Sequence, residues 1–208
     1  MTQATMADRL LEKVGGVCLI AAPLLMAICS FLWFNDSLLL GAGIVQMYAS
    51  VLYIPAILVL ARLMWHQAPR LAVFVGMLGI LGCAGAINFG TFGAYQWAAG
   101  TAGADAATVR AIEQVADEQL FPVLNLPGIV FPLALLILSI GLFRTGVVPR
   151  WMALLIGIGA ICFPLSRIPD IRLLFHVSDL LLLVPLGWIG LRQLIEVAPG
   201  KATVPAAA

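Results

Sequence analysis

The side chains with chemical capability are few, and their spacing groups them. Arg172, His176 and Asp179 fall at i, i+4 and i+7, so on a helix they share one face. A histidine one turn from a carboxylate has the spacing of a general base and its orienting partner. Gln46, Ser50 and Tyr53 repeat the i, i+4, i+7 spacing, Asn88, Thr91 and Tyr95 fall at i, i+3, i+7, and Asn125 stands one turn into another apolar run. Amides, phenols and a carboxylate on such faces can bind a small polar ligand, relay a proton, or hold helices together by hydrogen bonds. The stretch Ser166-Arg167-Ile168-Pro169-Asp170-Ile171-Arg172 brings two arginines into one short turn. Such a pair suits an anionic head group or a carboxylate, and equally suits plain anchoring of long side chains at a membrane interface.

Other chemistries lack their residues. The two histidines, His66 and His176, fall at opposite ends of their apolar runs and cannot share one haem. There is no H-E-x-x-H, no G-x-S-x-G and no glycine-rich phosphate loop. One histidine and one aspartate leave a metal's coordination shell short, so neither a metal nor a cofactor is expected. Cys18, Cys29, Cys83 and Cys162 lie inside apolar runs without a C-x-x-C spacing and read as small buried apolar residues. A formal net charge of +1 provides no basic patch, which argues against nucleic acid as a partner.

The elements that must position these residues follow from composition. Of 208 residues, 62% are apolar and 10% charged, and the mean hydropathy is +1.08. A soluble domain carries about 25% charged residues, and a chain this short has too little interior to hide so much apolar surface. The expectation is an all-α polytopic membrane protein, a single six-helix domain over residues 1–197. Its spans lie near 15–34, 41–64, 71–97, 122–143, 151–165 and 173–194. The runs are continuous rather than alternating, which excludes a barrel. The first is too long for the apolar region of a cleaved signal and is expected to stay as a span. The fifth, at about 15 residues or ~22 Å of helix, must extend through Ser166, sit in thinned bilayer or be shielded by neighbours. Residues 106–120 read as a short helix lying at the interface or as a solvated linker. Residues 198–208 read as a disordered tail.

Basic residues orient the spans. Arg9, Lys13, Arg62, Arg70, Arg144, Arg150, Arg192 and Lys201 fall on one side, and Arg110, Arg167 and Arg172 on the other. Positive-inside then places both termini in the cytoplasm of a cell-membrane protein. Trp33, Trp65, Trp97, Trp151 and Trp188 fall near span ends, as an interfacial belt requires. On this topology the polar sets all lie in the outer half of the membrane. They point to an outward-facing cavity lined by Gln46, Tyr53, Asn88, Tyr95, Asn125, Arg172, His176 and Asp179, binding or transporting a small polar or amphiphilic ligand. Two rival readings stay open: a membrane-embedded enzyme using His176 and Asp179, and a structural or assembly subunit whose polar residues are interhelical glue. The expected partners are the bilayer, a small-molecule or lipid ligand, and a second copy of the chain. Asp179 is the least expected residue within a span, and His176, within reach one turn away, is its nearest partner in sequence; the aspartate is otherwise expected to join its helix to Asn88, Tyr95 or Gln46. Gly76, Gly79, Gly82 and Gly85 recur at every third position and read as close packing of helices.

Gln67-Ala68-Pro69-Arg70 and Val147-Val148-Pro149-Arg150 each lead into an apolar run, a similarity between two connections that suits a shared membrane-entry sequence or a distant repeat. The stretch Gly141-Leu142-Phe143-Arg144-Thr145-Gly146-Val147-Val148-Pro149-Arg150-Trp151, with the short Gly-rich run after it, resembles uncharacterised bacterial multi-pass membrane families. The resemblance covers about the last third of the chain. It implies a six- or seven-helix bacterial inner-membrane protein of unknown function and supplies no catalytic residues.

Overall fold

The computed structural model describes residues 6–34, 39–119, 121–167 and 171–196. They form seven helices: α1 (Met6–Trp33), α2 (Leu39–Leu63), α3 (Pro69–Thr101), α4 (Ala106–Gln119), α5 (Phe121–Thr145), α6 (Arg150–Arg167) and α7 (Arg172–Glu196). Six are long and apolar enough to cross a membrane; α4 is not among them. Six long apolar helices agree with the expected all-α polytopic architecture. The short fifth span gains its length by running through Ser166 to Arg167, which gives 18 residues, or about 27 Å. The expected tail, residues 198–208, lies outside the described residues.

The long helices close on themselves. α1 packs on α2 and α7, α2 on α3, α3 on α5, α5 on α6, and α6 on α7, while among the described residues α4 touches α5 and α3. The ring is filled by Leu19 of α1, Tyr53 and Ile57 of α2, Phe131 and Leu135 of α5, Ile156 of α6 and Leu182 of α7, all buried. Its outer surface is apolar too: Phe31, Phe74, Met77, Leu173 and Leu180 are all more than half exposed. In water such a surface would aggregate; against lipid it is the surface required. Two ends result. One gathers the start of α1, the α2–α3 and α5–α6 connections and the end of α7, and is called the terminal end below. The far end gathers the α1–α2, α3–α5 and α6–α7 connections.

Glycine sets the closeness of the ring. A Cβ on Gly43 of α2 would stand 2.5 Å from the carbonyl oxygen of Gly90 on α3, and a Cβ on Gly90 would stand 2.6 Å from that of Gly43. The α1–α7 contact is similar, with a Cβ on Gly190 falling 2.5 Å from the Gly16 carbonyl oxygen. Without a hydrophobic drive between helices in lipid, such backbone approach supplies the packing attraction. The three-residue glycine pattern of α3 serves two neighbours: Gly79 faces Ile57 of α2, and Gly82 faces the backbone of Phe131 on α5.

α4 starts on a side-chain cap. The Thr108 backbone N–H donates to Asp105 Oδ1 at 2.7 Å, and the Val109 N–H to the Asp105 carbonyl. This caps free N–H groups of the first turn. Ala116 is buried, while Ile112 and Val115 stay half exposed.

Two expectations follow. Gly90→Leu lowers the melting temperature in detergent, because overpacking against backbone costs about 1–3 kcal/mol or more. Gly41→Ala, with nothing within 4 Å of its Cβ, leaves the melting temperature unchanged or slightly higher. The second concerns acid. The Thr108 N–H holds the Asp105 carboxyl below its ordinary value of 3.8. The cap therefore supports α4 above that value and is lost as pH falls through the lowered one. Amide exchange at Thr108 should accelerate only in that acidic window, and Asp105→Ala should show the fast exchange at neutral pH.

Candidate functional site

Asp179 of α7 is reached from two other helices. It sits two turns into α7 and is 1% exposed. Arg167, the last residue of α6, places Nη2 2.9 Å from Asp179 Oδ1. Ser30 of α1 donates its hydroxyl to Asp179 Oδ2. The other guanidinium nitrogen of Arg167 donates to Ser178 Oγ at 3.2 Å and Ser166 Oγ at 3.3 Å. Those serines can accept because their own protons go elsewhere, to the carbonyls of Phe175 and Phe163, each at 2.8 Å. The carboxylate thus meets a cation, and the cation meets three oxygens.

Two rings hold the guanidinium flat. Its central carbon lies 3.4 Å from the Phe163 ring centroid and 4.0 Å from that of Phe175, within the range of cation–π attraction. The aromatic contacts extend inward, from Phe163 to Phe131 at 5.4 Å and from Phe131 to Tyr53 at 5.0 Å, both edge-on. They also extend outward: Phe175 meets Phe34 at 5.3 Å, and Arg172 lies 4.7 Å over Phe34. The Asp179 side chain is 1% exposed and that of Arg167 is 19% exposed, so the pair is sealed on one side only.

His176 does not orient on Asp179. Its ring stacks on Phe31 with centroids 4.3 Å apart and planes 18° apart, and its Nδ1 is buried without a partner among the described residues. The Asp179 carboxylate meets Arg167 and Ser30, while the His176 ring is drawn to Phe31. Arg172 is turned to the Phe34 ring rather than to Asp179.

The other expected lining residues meet different partners. Gln46 accepts a hydrogen bond from Cys29 Sγ at 3.8 Å, beside Ser30; Gln46 and Asp179 therefore engage consecutive residues of α1. Tyr53 is buried in the centre of the ring, its hydroxyl without a partner among the described residues. Ser50 and Thr91 return their hydroxyls to the carbonyls one turn back, Gln46 and Ile87, which satisfies them within their own helices. Asn88 is half-buried on α3. Tyr95 is 67% exposed, away from the buried core. Asn125 belongs to α5, and its side chain lies outside the described residues. No three His, Cys, Asp or Glu side chains gather as metal ligands among the described residues.

No family model, curated protein or solved structure matches the chain. The site therefore rests on its own geometry. Ser30 and Ser178 are the residues that the sequence pattern did not select; Arg167 was singled out as one of an arginine pair but not as the partner of Asp179. Arg167 had a detectable signal: once the short fifth span is lengthened to cross a bilayer, its last residue is an arginine that needs an anion at the same depth. Asp179 is that anion.

Asp179→Asn should lower stability by about 3–5 kcal/mol, because it leaves the Arg167 charge part-buried and uncompensated. The paired change Arg167→Met with Asp179→Leu should recover much of that loss, read as melting temperature in an uncharged detergent.

Proposed function

We propose that this membrane protein binds a small amphiphile with an anionic head at the far end of α1, α6 and α7. The observation that carries the reading is the uneven sealing of the ion pair: Asp179 is closed off while Arg167 remains part exposed between two rings. An anion arriving from the far end meets Arg167 with its counter-charge fixed beneath it. Arg172, exposed beside Phe34, supplies a second cation. The exposed Phe31 ring, with His176 stacked on it, offers apolar surface for the ligand's tail. The distribution of basic residues supports placing this end on the outer side of a cell membrane, with both termini cytoplasmic. The likeness of residues 141–151 to bacterial multi-pass families supports a bacterial inner membrane as the setting.

An alkyl phosphate should stabilise the protein in an uncharged detergent by about 2.7 kcal/mol at a hundredfold excess over Kd, read as a melting temperature that rises with its concentration. A trimethylammonium amphiphile of equal chain length should leave it unchanged. Arg172→Gln should shrink the phosphate response. Equal stabilisation by both amphiphiles would refute the reading.

A further inference from the structure

The terminal end carries a second feature that the Arg167–Asp179 pair does not explain. A groove of about 1040 Å³ opens where α2 and α3 meet the start of α1 and the end of α7. Its wall is apolar. Val73, Met77 and Ile80 of α3 follow i, i+4, i+7 and face Leu58 of α2 across the gap. They form a strip roughly 10 Å long running toward the middle of the span. All four are more than 40% exposed, so the strip lies open on the lipid-facing side.

The rim is polar and carries both signs. Arg62, Trp65 and His66 line it from the end of α2, and Glu12 from α1. Gln193 of α7 closes it, with Oε1 buried and without a hydrogen-bond partner among the described residues. A buried acceptor left unpaired costs free energy unless something donates to it. Gln193 also borders a smaller concavity of about 170 Å³ toward α6.

We propose that this groove holds one phospholipid whose head group combines a phosphate with a primary ammonium, an ethanolamine phospholipid of the leaflet at the terminal end. The rim matches that zwitterion group by group. Arg62 and the Trp65 indole N–H meet the phosphate, and Glu12 and Gln193 Oε1 accept from the ammonium. The α3 strip takes an acyl chain. A choline head group has the same phosphate and positive charge but no N–H to give Gln193. A glycerol head group offers hydroxyls but no cation for Glu12.

The test is native mass spectrometry of the full-length protein, delipidated in an uncharged detergent and titrated with ethanolamine, choline and glycerol phospholipids of identical acyl chains. The ethanolamine lipid should bind roughly tenfold more tightly than the choline lipid, the effect of a hydrogen bond to a charged donor. Gln193→Leu and Glu12→Gln should each reduce that preference toward parity. Met77→Trp, which fills the groove from an exposed position, should weaken all three lipids together. Melting curves identify any variant that fails to fold, in which case the other two carry the result. Equal affinity for ethanolamine and choline lipids, a preference for the glycerol lipid, an ethanolamine preference that survives both rim substitutions, or a dimer that excludes lipid from the groove would each overturn the proposal.

Discussion

A carboxylate two turns inside an apolar helix is the constraint around which the far end is organised. Insertion of an isolated aspartate at mid-span costs about 2.5–3.5 kcal/mol even on permissive scales. Asp179 avoids that isolation only because α6 ends at the same depth with Arg167 and α1 presents Ser30. The requirement spreads outward. Arg167 must stay flat between Phe163 and Phe175 to reach Asp179, and Ser166 and Ser178 must spend their protons on carbonyls to accept from it. Phe163 then packs on Phe131 and Phe131 on Tyr53. Through these contacts the ion pair is joined to the apolar centre of the ring, and α1, α6 and α7 are locked in register at one end.

Close backbone approach does the corresponding work elsewhere. α2 against α3 and α1 against α7 meet at glycines that face a carbonyl oxygen of the neighbouring helix. The contact that depends on charge is therefore α6 with α7 and α1, while the rest of the ring depends on small residues. Among the described residues, other cross-helix polar contacts include Cys29 Sγ with Gln46 Oε1 between α1 and α2. Another is the Ser139 hydroxyl donating to the Ala153 carbonyl between α5 and α6 at 2.7 Å.

Much of the architecture was legible in the sequence because lipid imposes a length and a periodicity that composition alone reveals. The six spans, the α4 helix and the packing role of the α3 glycines are all read from runs and spacing. The site was legible only in part. Spacing placed Asp179, His176 and Arg172 on one helical face, but side chains on one face need not bond one another. His176 turned to Phe31 and Arg172 to Phe34, because aromatic rings from α1 compete for them. The true partner of Asp179 lies on another helix, twelve positions back in the chain, and intrahelical periodicity carries no information about it. Tyr95 shows the converse limit: it shares helical spacing with Asn88 and Thr91, yet it is 67% exposed.

The two ends of the bundle solve opposite problems with similar residues. At the far end an arginine and an acid meet directly, and the protein supplies both halves of the pair. At the terminal end Arg62 and Glu12 stand on the rim of an open groove together with Gln193, whose Oε1 has no hydrogen-bond partner among the described residues. A bundle built by α6–α7–α1 ion pairing at one end needs its α1, α2 and α7 ends held in register at the other. The glycine contacts there bring α1 against α7, and the groove lies beside them along α2 and α3. A lipid whose head group bridges Arg62 to Gln193 would tie α2 to α7 across α1, completing at the terminal end the closure that Arg167 and Asp179 provide at the far one.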